Sequence, residues 1–114
     1  MSWQASGFRA WLLQRLTAVY IGLFLVIVST WLIIQTGSLD YSQWLSLFTR
    51  PMVNVAVLLF FYAVFFHAWV GMRDIIIDYV ALGSLRLLLL VIVAVALFVM
   101  ALWVSLILLS VVHL

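Results

Sequence analysis

The sequence predicts an all-α membrane protein with three transmembrane helices, its N-terminus cytoplasmic and its C-terminus periplasmic. Three observations carry that expectation. Of 114 residues, 70% are hydrophobic and only 7% charged, too few polar side chains to clothe a water-soluble domain of this size. Charge-free runs of about 20 residues recur three times, and each matches the roughly 30 Å of hydrocarbon that a helix rising 1.5 Å per residue must cross. The arginines are unevenly placed between those runs, which sets the orientation.

Residues 1–14 include Arg9, Trp3 and Trp11, a composition expected of an interfacial lead-in, and Arg15 marks the water side of the first span. Leu16 to Ile34 is free of charge, about 28 Å of helix. A cleaved signal peptide is not expected, because this run exceeds the usual length of a signal's apolar segment and no small-x-small pattern follows it.

Gln35 to Trp44 is the clearly polar segment, with Gly37 and Ser38 as turn formers and Trp44 as an interface anchor. It should end in a short interfacial helix through Phe48. Pro51 suits a first helical turn, where its missing N–H costs nothing, and the second span runs from Met52 to Met72. With no glycine or proline between Met72 and Leu82, that helix is expected to continue to about Tyr79. Gly83 and Ser84 are expected to make the turn, Arg86 to cap the helix that follows, and Leu87 to Val112 to form the third span. The whole chain, 1–114, reads as one membrane-anchor domain.

Arg9, Arg15, Arg73 and Arg86 fall on one side and Arg50 on the other, so the richer side is expected in the cytoplasm. The five arginines form no basic stripe, which argues against nucleic-acid binding and leaves lipid as the expected surroundings. The absence of cysteine removes disulfides and thiolate metal sites from this chain. Two or more spans consume the length, so any water-phase chemistry is expected of partner subunits.

The stretch His67 to Tyr79 stands apart because it gathers a histidine, an arginine, two aspartates and a tyrosine around the end of an apolar run. His67 lies six residues, about 9 Å, inside Arg73, too deep to reach water easily. An intramembrane ionisable group is a functional candidate by default. Its partner could be a metal, a haem iron, an interhelical hydrogen bond or a proton pathway. All three aspartates lie outside the spans, which weakens proton-coupled transport, and one histidine with distant Asp74 and Asp78 is too few ligands for a structural metal. Among metals, haem is favoured, since a single axial imidazole satisfies one side of it.

His113 lies beyond the third span, at the face opposite His67, and is expected to be a solvent-exposed terminal residue. At 100° per residue His67, Gly71, Asp74 and Asp78 share a face, and Gly71 would allow a flat macrocycle or a neighbouring helix to approach. Asp74 and Asp78 repel each other and the helix dipole, with Arg73 or Arg86 as available relief. Tyr79 is placed either as an aromatic-belt residue or as a phenol able to donate to a quinone carbonyl.

His67-Ala-Trp-Val-Gly-Met, followed by Asp78-Tyr79-Val80 and Leu85-Arg86-Leu87, resembles the D-type membrane anchor subunits of bacterial succinate dehydrogenase, complex II. Leu13-Gln-Arg15-Leu-Thr-Ala18 before the first span, and Tyr41 with Trp44 in the first loop, extend the likeness over most of the chain. Ala10 and the Arg73-Asp74 pair depart from the pattern.

The resemblance implies that His67 is one axial ligand of haem b, with the other supplied by a C-type cytochrome b anchor subunit. It implies that Tyr79, supported by Asp78, binds ubiquinone near the cytoplasmic face, and that Arg15 lies near the haem propionates. It implies a flavoprotein subunit and an iron–sulfur subunit as partners, which alone carry FAD and the iron–sulfur clusters, and a location in the bacterial inner membrane. The chain would then be no enzyme by itself but a subunit of one. A fumarate reductase anchor and a non-redox structural or assembly subunit are the alternative readings.

Overall fold

Three long helices and one short one account for the computed structural model, which describes the backbone of residues 2–35 and 37–113 and side chains from Gly7 onward. They are α1 (Ser2–Ile34), α2 (Tyr41–Thr49), α3 (Pro51–Tyr79) and α4 (Gly83–Val111). The expected role of Trp3 as an anchor concerns a side chain outside that range.

The long helices run up, down and up, and α3 is the central one. Both α1 and α4 pack against α3, with no contact between them among the described residues, while α2 lies across the ends of α3 and α4. This order puts the start of α1, the end of α3 and the start of α4 at one end. Arg9, Arg15, Arg73 and Arg86 belong to that end, and Arg50 to the other.

All three long helices are apolar and long enough to cross a membrane. Very little of them is buried within the chain: Val70, Ile76 and Leu108 are its buried apolar side chains among the described residues. A water-soluble fold could not survive with its leucines, valines and phenylalanines so exposed, whereas lipid and neighbouring subunits cover such a surface without penalty. The chain is a multi-pass membrane protein.

Polar groups, not a greasy core, mark where the helices meet. On the α1–α3 seam, Tyr20 donates its hydroxyl to the Ala56 carbonyl at 2.9 Å, and Phe24 stacks on Phe60 with ring centroids 4.3 Å apart. On the α3–α4 seam, the Tyr62 hydroxyl hydrogen-bonds Ser105, whose own oxygen lies 2.7 Å from the Ala101 carbonyl. Asn54, 1% exposed, donates both amide protons, to Phe48 O at 2.9 Å and Leu108 O at 2.7 Å, and so ties α2, α3 and α4 together. In hydrocarbon an unpaired amide would be penalised by several kcal/mol, so these pairings fix which helix faces meet.

The short interfacial helix expected before Pro51 is α2. Asp40 caps it reciprocally: its carboxylate accepts from Gln43 N at 2.7 Å, while the Gln43 side chain accepts from Asp40 N at 3.0 Å. Gly37, with φ +92°, supplies the left-handed residue that turns the chain out of α1. Pro51 opens α3 as its first residue.

The helix bounds complete one local expectation and correct another. The lead-in around Arg9 and Trp11 is helical and continuous with the first span, since α1 runs unbroken through Arg15. Nothing from Phe8 to Ile21 is a glycine or proline, so no residue there interrupts the hydrogen-bond ladder. The second turn consists of Val80 to Leu82, and Gly83 and Ser84 already belong to α4. Val80 and Leu82 are extended, and Arg86 Nε donates to the Val80 carbonyl at 3.0 Å, so the arginine clasps the turn from inside the next helix.

Candidate functional site

A cleft opens between the N-terminal half of α1 and the C-terminal half of α3, with a volume of about 470 Å³. Trp11, Gln14 and Arg15 line it from α1, and His67, Arg73 and Asp74 from α3. The antiparallel packing of the two helices sets these side chains level with one another.

His67 is half-buried, and its Nδ1 lies 3.2 Å from Thr17 Oγ1 on α1. Thr17 is itself only 8% exposed. The interhelical hydrogen bond considered from the sequence is therefore present, and it occupies one ring nitrogen. Nε2 has no hydrogen-bond partner among the described residues.

Positive charge borders the cleft on both helices. Arg15 holds its guanidinium 5.7 Å from the centroid of the Trp11 ring, a cation–π contact between residues one helical turn apart and suited to an anion arriving at that edge. Arg73 pairs with Asp74 at 3.2 Å. That pair is the relief for Asp74; Arg86 is engaged at Val80 O instead. Being partly exposed, it contributes at most about 1 kcal/mol.

Gln14 Oε1 is buried without a partner among the described residues. A buried amide oxygen wants a donor, and this one belongs to a residue that faces the cleft. The nearby Gly71 sits where an added Cβ would lie 3.7 Å from Gln14 Nε2, an ordinary contact. Close approach of α1 therefore does not itself require a glycine.

The donor set suits a group that needs one imidazole, cationic flanks and completion by another chain. Among the described residues, no three histidine, cysteine or acidic side chains converge to hold a metal ion by themselves. These residues fit a haem: His67 offers a single nitrogen, and Arg15 carries charge opposite to that of propionates, while Arg73 is engaged by Asp74.

The remaining sequence-predicted residues lie elsewhere. Tyr79 is the last residue of α3 and 83% exposed, with Asp78 also exposed beside it; neither lines the His67 cleft. Counted along α3 they stand about 18 Å beyond His67. His113 is exposed at the opposite end, where its backbone N–H donates to Thr49 O at 2.9 Å. Arg15 and His67 are thus brought to one cleft, and Asp78 and Tyr79 form a second, open location.

Sequence reasoning passed over Thr17, Gln14 and Asn54. The usable signal was the rarity of side-chain hydrogen-bonding groups inside apolar runs, which marks them as partners for something.

Residues 1–103 match the family model described as "Succinate dehydrogenase/Fumarate reductase transmembrane subunit". The chain is 35% identical over 81 residues to the succinate dehydrogenase hydrophobic membrane anchor subunit of Coxiella burnetii, covering 71% of this chain and 70% of that protein. It is 38% identical over 93 residues to the protein of the same description from Rickettsia felis, covering 77% and 72%.

Proposed function

The chain belongs to the succinate dehydrogenase/fumarate reductase transmembrane subunit family, and from that premise we propose that it anchors a succinate:ubiquinone oxidoreductase in the bacterial inner membrane. In this reading it holds a flavoprotein subunit and an iron–sulfur subunit at the cytoplasmic face. It shares one haem b with a C-type anchor subunit and forms part of the quinone site. The arginine-rich end, where α1 starts and α3 ends, is the cytoplasmic one.

The observation that carries the haem assignment is His67, held on α1 through one ring nitrogen and set in a cleft with Arg15 and Arg73. His67 would hold the haem iron through its free ring nitrogen, and Arg15 would neutralise a propionate. Haem b, when bound, would supply a one-electron redox centre. The protein's part is to fix the imidazole, exclude lipid from that edge and balance charge.

Tyr79 and Asp78 serve the other location. A phenol at the membrane surface can donate a hydrogen bond to a ubiquinone carbonyl, and the adjacent carboxylate supports that polar edge. Reducing the quinone takes two electrons and two protons, the electrons drawn from succinate by the partner subunits and the protons from the cytoplasmic side. No succinate chemistry falls to this chain.

The test is a reduced-minus-oxidised spectrum of the purified membrane complex, with and without His67→Ala. A haem b band lost in the variant is expected; a complex with no such band, or one that His67→Ala leaves unchanged, would overturn the axial role in favour of a purely structural subunit. The family description names fumarate reductase as well, which makes an anchor for the reverse reaction the second reading. Rates of succinate oxidation and fumarate reduction with the native quinone separate the two.

A further inference from the structure

Thr17 Oγ1 is a crowded oxygen with a single proton to give. It lies 2.8 Å from Leu13 O, 3.0 Å from Gln14 O and 3.2 Å from His67 Nδ1. Both carbonyls accept only, and they are the nearer neighbours. A threonine that back-bonds to the preceding turn has its χ1 fixed by doing so, and the hydroxyl proton lies along that bond. The oxygen's remaining lone pairs face the imidazole, where only a donor can satisfy them.

We infer that Thr17 is a positioning residue that accepts a hydrogen bond from His67 Nδ1–H and thereby holds the neutral ring in the tautomer with Nε2 bare. In neutral imidazole one nitrogen donates and the other accepts, so the bond made by one dictates the chemistry of the other. The bare Nε2 is the atom a metal ligates. Thr17 is largely buried and α1 is unbroken around it, so the ring is held at a set height and rotation before any ligand arrives. This turns the interhelical hydrogen bond and the ligand role of His67 from rivals into two halves of one arrangement.

A hydrogen bond accepted from Nδ1–H also makes the imidazole a stronger electron donor. The inference rests on the haem reading for its purpose but not for its geometry. Haem-free and haem-loaded measurements therefore test it separately.

The first measurement uses the full chain in lipid bilayers prepared without haem, labelled with ¹⁵N-histidine and carrying His113→Gln so that His67 alone reports. Solid-state NMR is expected to show Nδ1 protonated and Nε2 bare. Thr17→Val, which keeps the shape and removes the acceptor, is expected to shift the population toward Nε2–H, and Thr17→Ser to restore it. An Nε2–H ring in the chain with Thr17 intact would overturn the inference, as would an unmoved tautomer in Thr17→Val.

The second measurement uses the intact complex. Thr17→Val is expected to weaken haem retention about 10- to 100-fold and to raise the haem midpoint potential, since the less electron-rich ring favours the ferric state less, with Thr17→Ser near the unsubstituted protein. Unchanged retention and potential in Thr17→Val would count against a role in ligation. If the unsubstituted complex lacks a haem band while the tautomer result holds, the haem reading fails and the positioning of the ring stands.

Discussion

The two ends of the three-helix layer contain similar kinds of polar residue but treat them differently. At the end capped by α2, Asn54 spends both amide protons on Phe48 and Leu108 carbonyls, and Asp40 and Gln43 close a reciprocal cap. At the other end, Gln14 Oε1 is buried with no partner among the described residues, the His67 ring uses one nitrogen, and Arg15 faces an open cleft. One end is finished by its own chain. The other is left with valences that a further group or subunit would fill, and that contrast is the physical reason to place ligand chemistry there.

The contrast breaks most decisively at His67. Replacing it by alanine is expected to abolish the haem b band while the complex still assembles, because no other described side chain near the cleft offers a nitrogen ligand. If the band survives, the unfinished end is not a haem site. Tyr79→Phe is the next largest. It removes one hydrogen-bond donor from an exposed position, so quinone reduction is expected to fall up to about tenfold with haem content unchanged. Turnover equal to the unsubstituted complex would return Tyr79 to the aromatic belt.

Asn54→Leu sharpens the comparison from the finished end. The leucine is apolar and of similar size, but it takes the Asn54 amide donor away from both the Phe48 and the Leu108 carbonyl. A stability loss of about 1–2 kcal/mol is expected, read from thermal or denaturant unfolding in detergent. Haem spectrum and quinone turnover should be unchanged. A variant that loses haem instead would show that the two ends are coupled through α3 and that the division drawn between them is too sharp.

Much of this was legible in the sequence because lipid simplifies the problem. Charge-free runs, Pro51 and the arginine spacing mark the spans, and the polar stretch before Trp44 announces α2. His67 was conspicuous as the only histidine inside a span. What could not be read was pairing across helices. Thr17 is an ordinary threonine until α3 brings His67 beside it, and Gln14 is unremarkable until its amide is buried. Phase along one helix put His67, Gly71, Asp74 and Asp78 on a common face, but only the tertiary arrangement separates the cleft from Tyr79. The second turn was misplaced because Gly83 and Ser84 are turn formers by composition, whereas the backbone takes both into the first turn of α4.

The smallest effect concerns the cap of α2, where an electrostatic signature should separate the finished end from the rest. The Asp40 carboxyl is held below its ordinary range, chiefly by the hydrogen bond from the Gln43 backbone N–H and then by the Ser42 hydroxyl. A depressed folded-state value means the unfolded chain binds the proton more tightly. The cap's pH-dependent contribution is therefore fully present above the unfolded value of about 3.9 and lost as pH falls through the lower folded one. Because the carboxylate is at the surface, the effect is confined to the strongly acidic range. Amide hydrogen exchange at Gln43 and Trp44 is expected to quicken there, relative to amides of mid-α3, after correction for intrinsic pH dependence. Asp40→Asn can still cap the helix but has no proton to gain, so its exchange should lose that dependence. Identical acid behaviour in the two proteins would mean that something other than the Asp40 cap closes this end of the molecule.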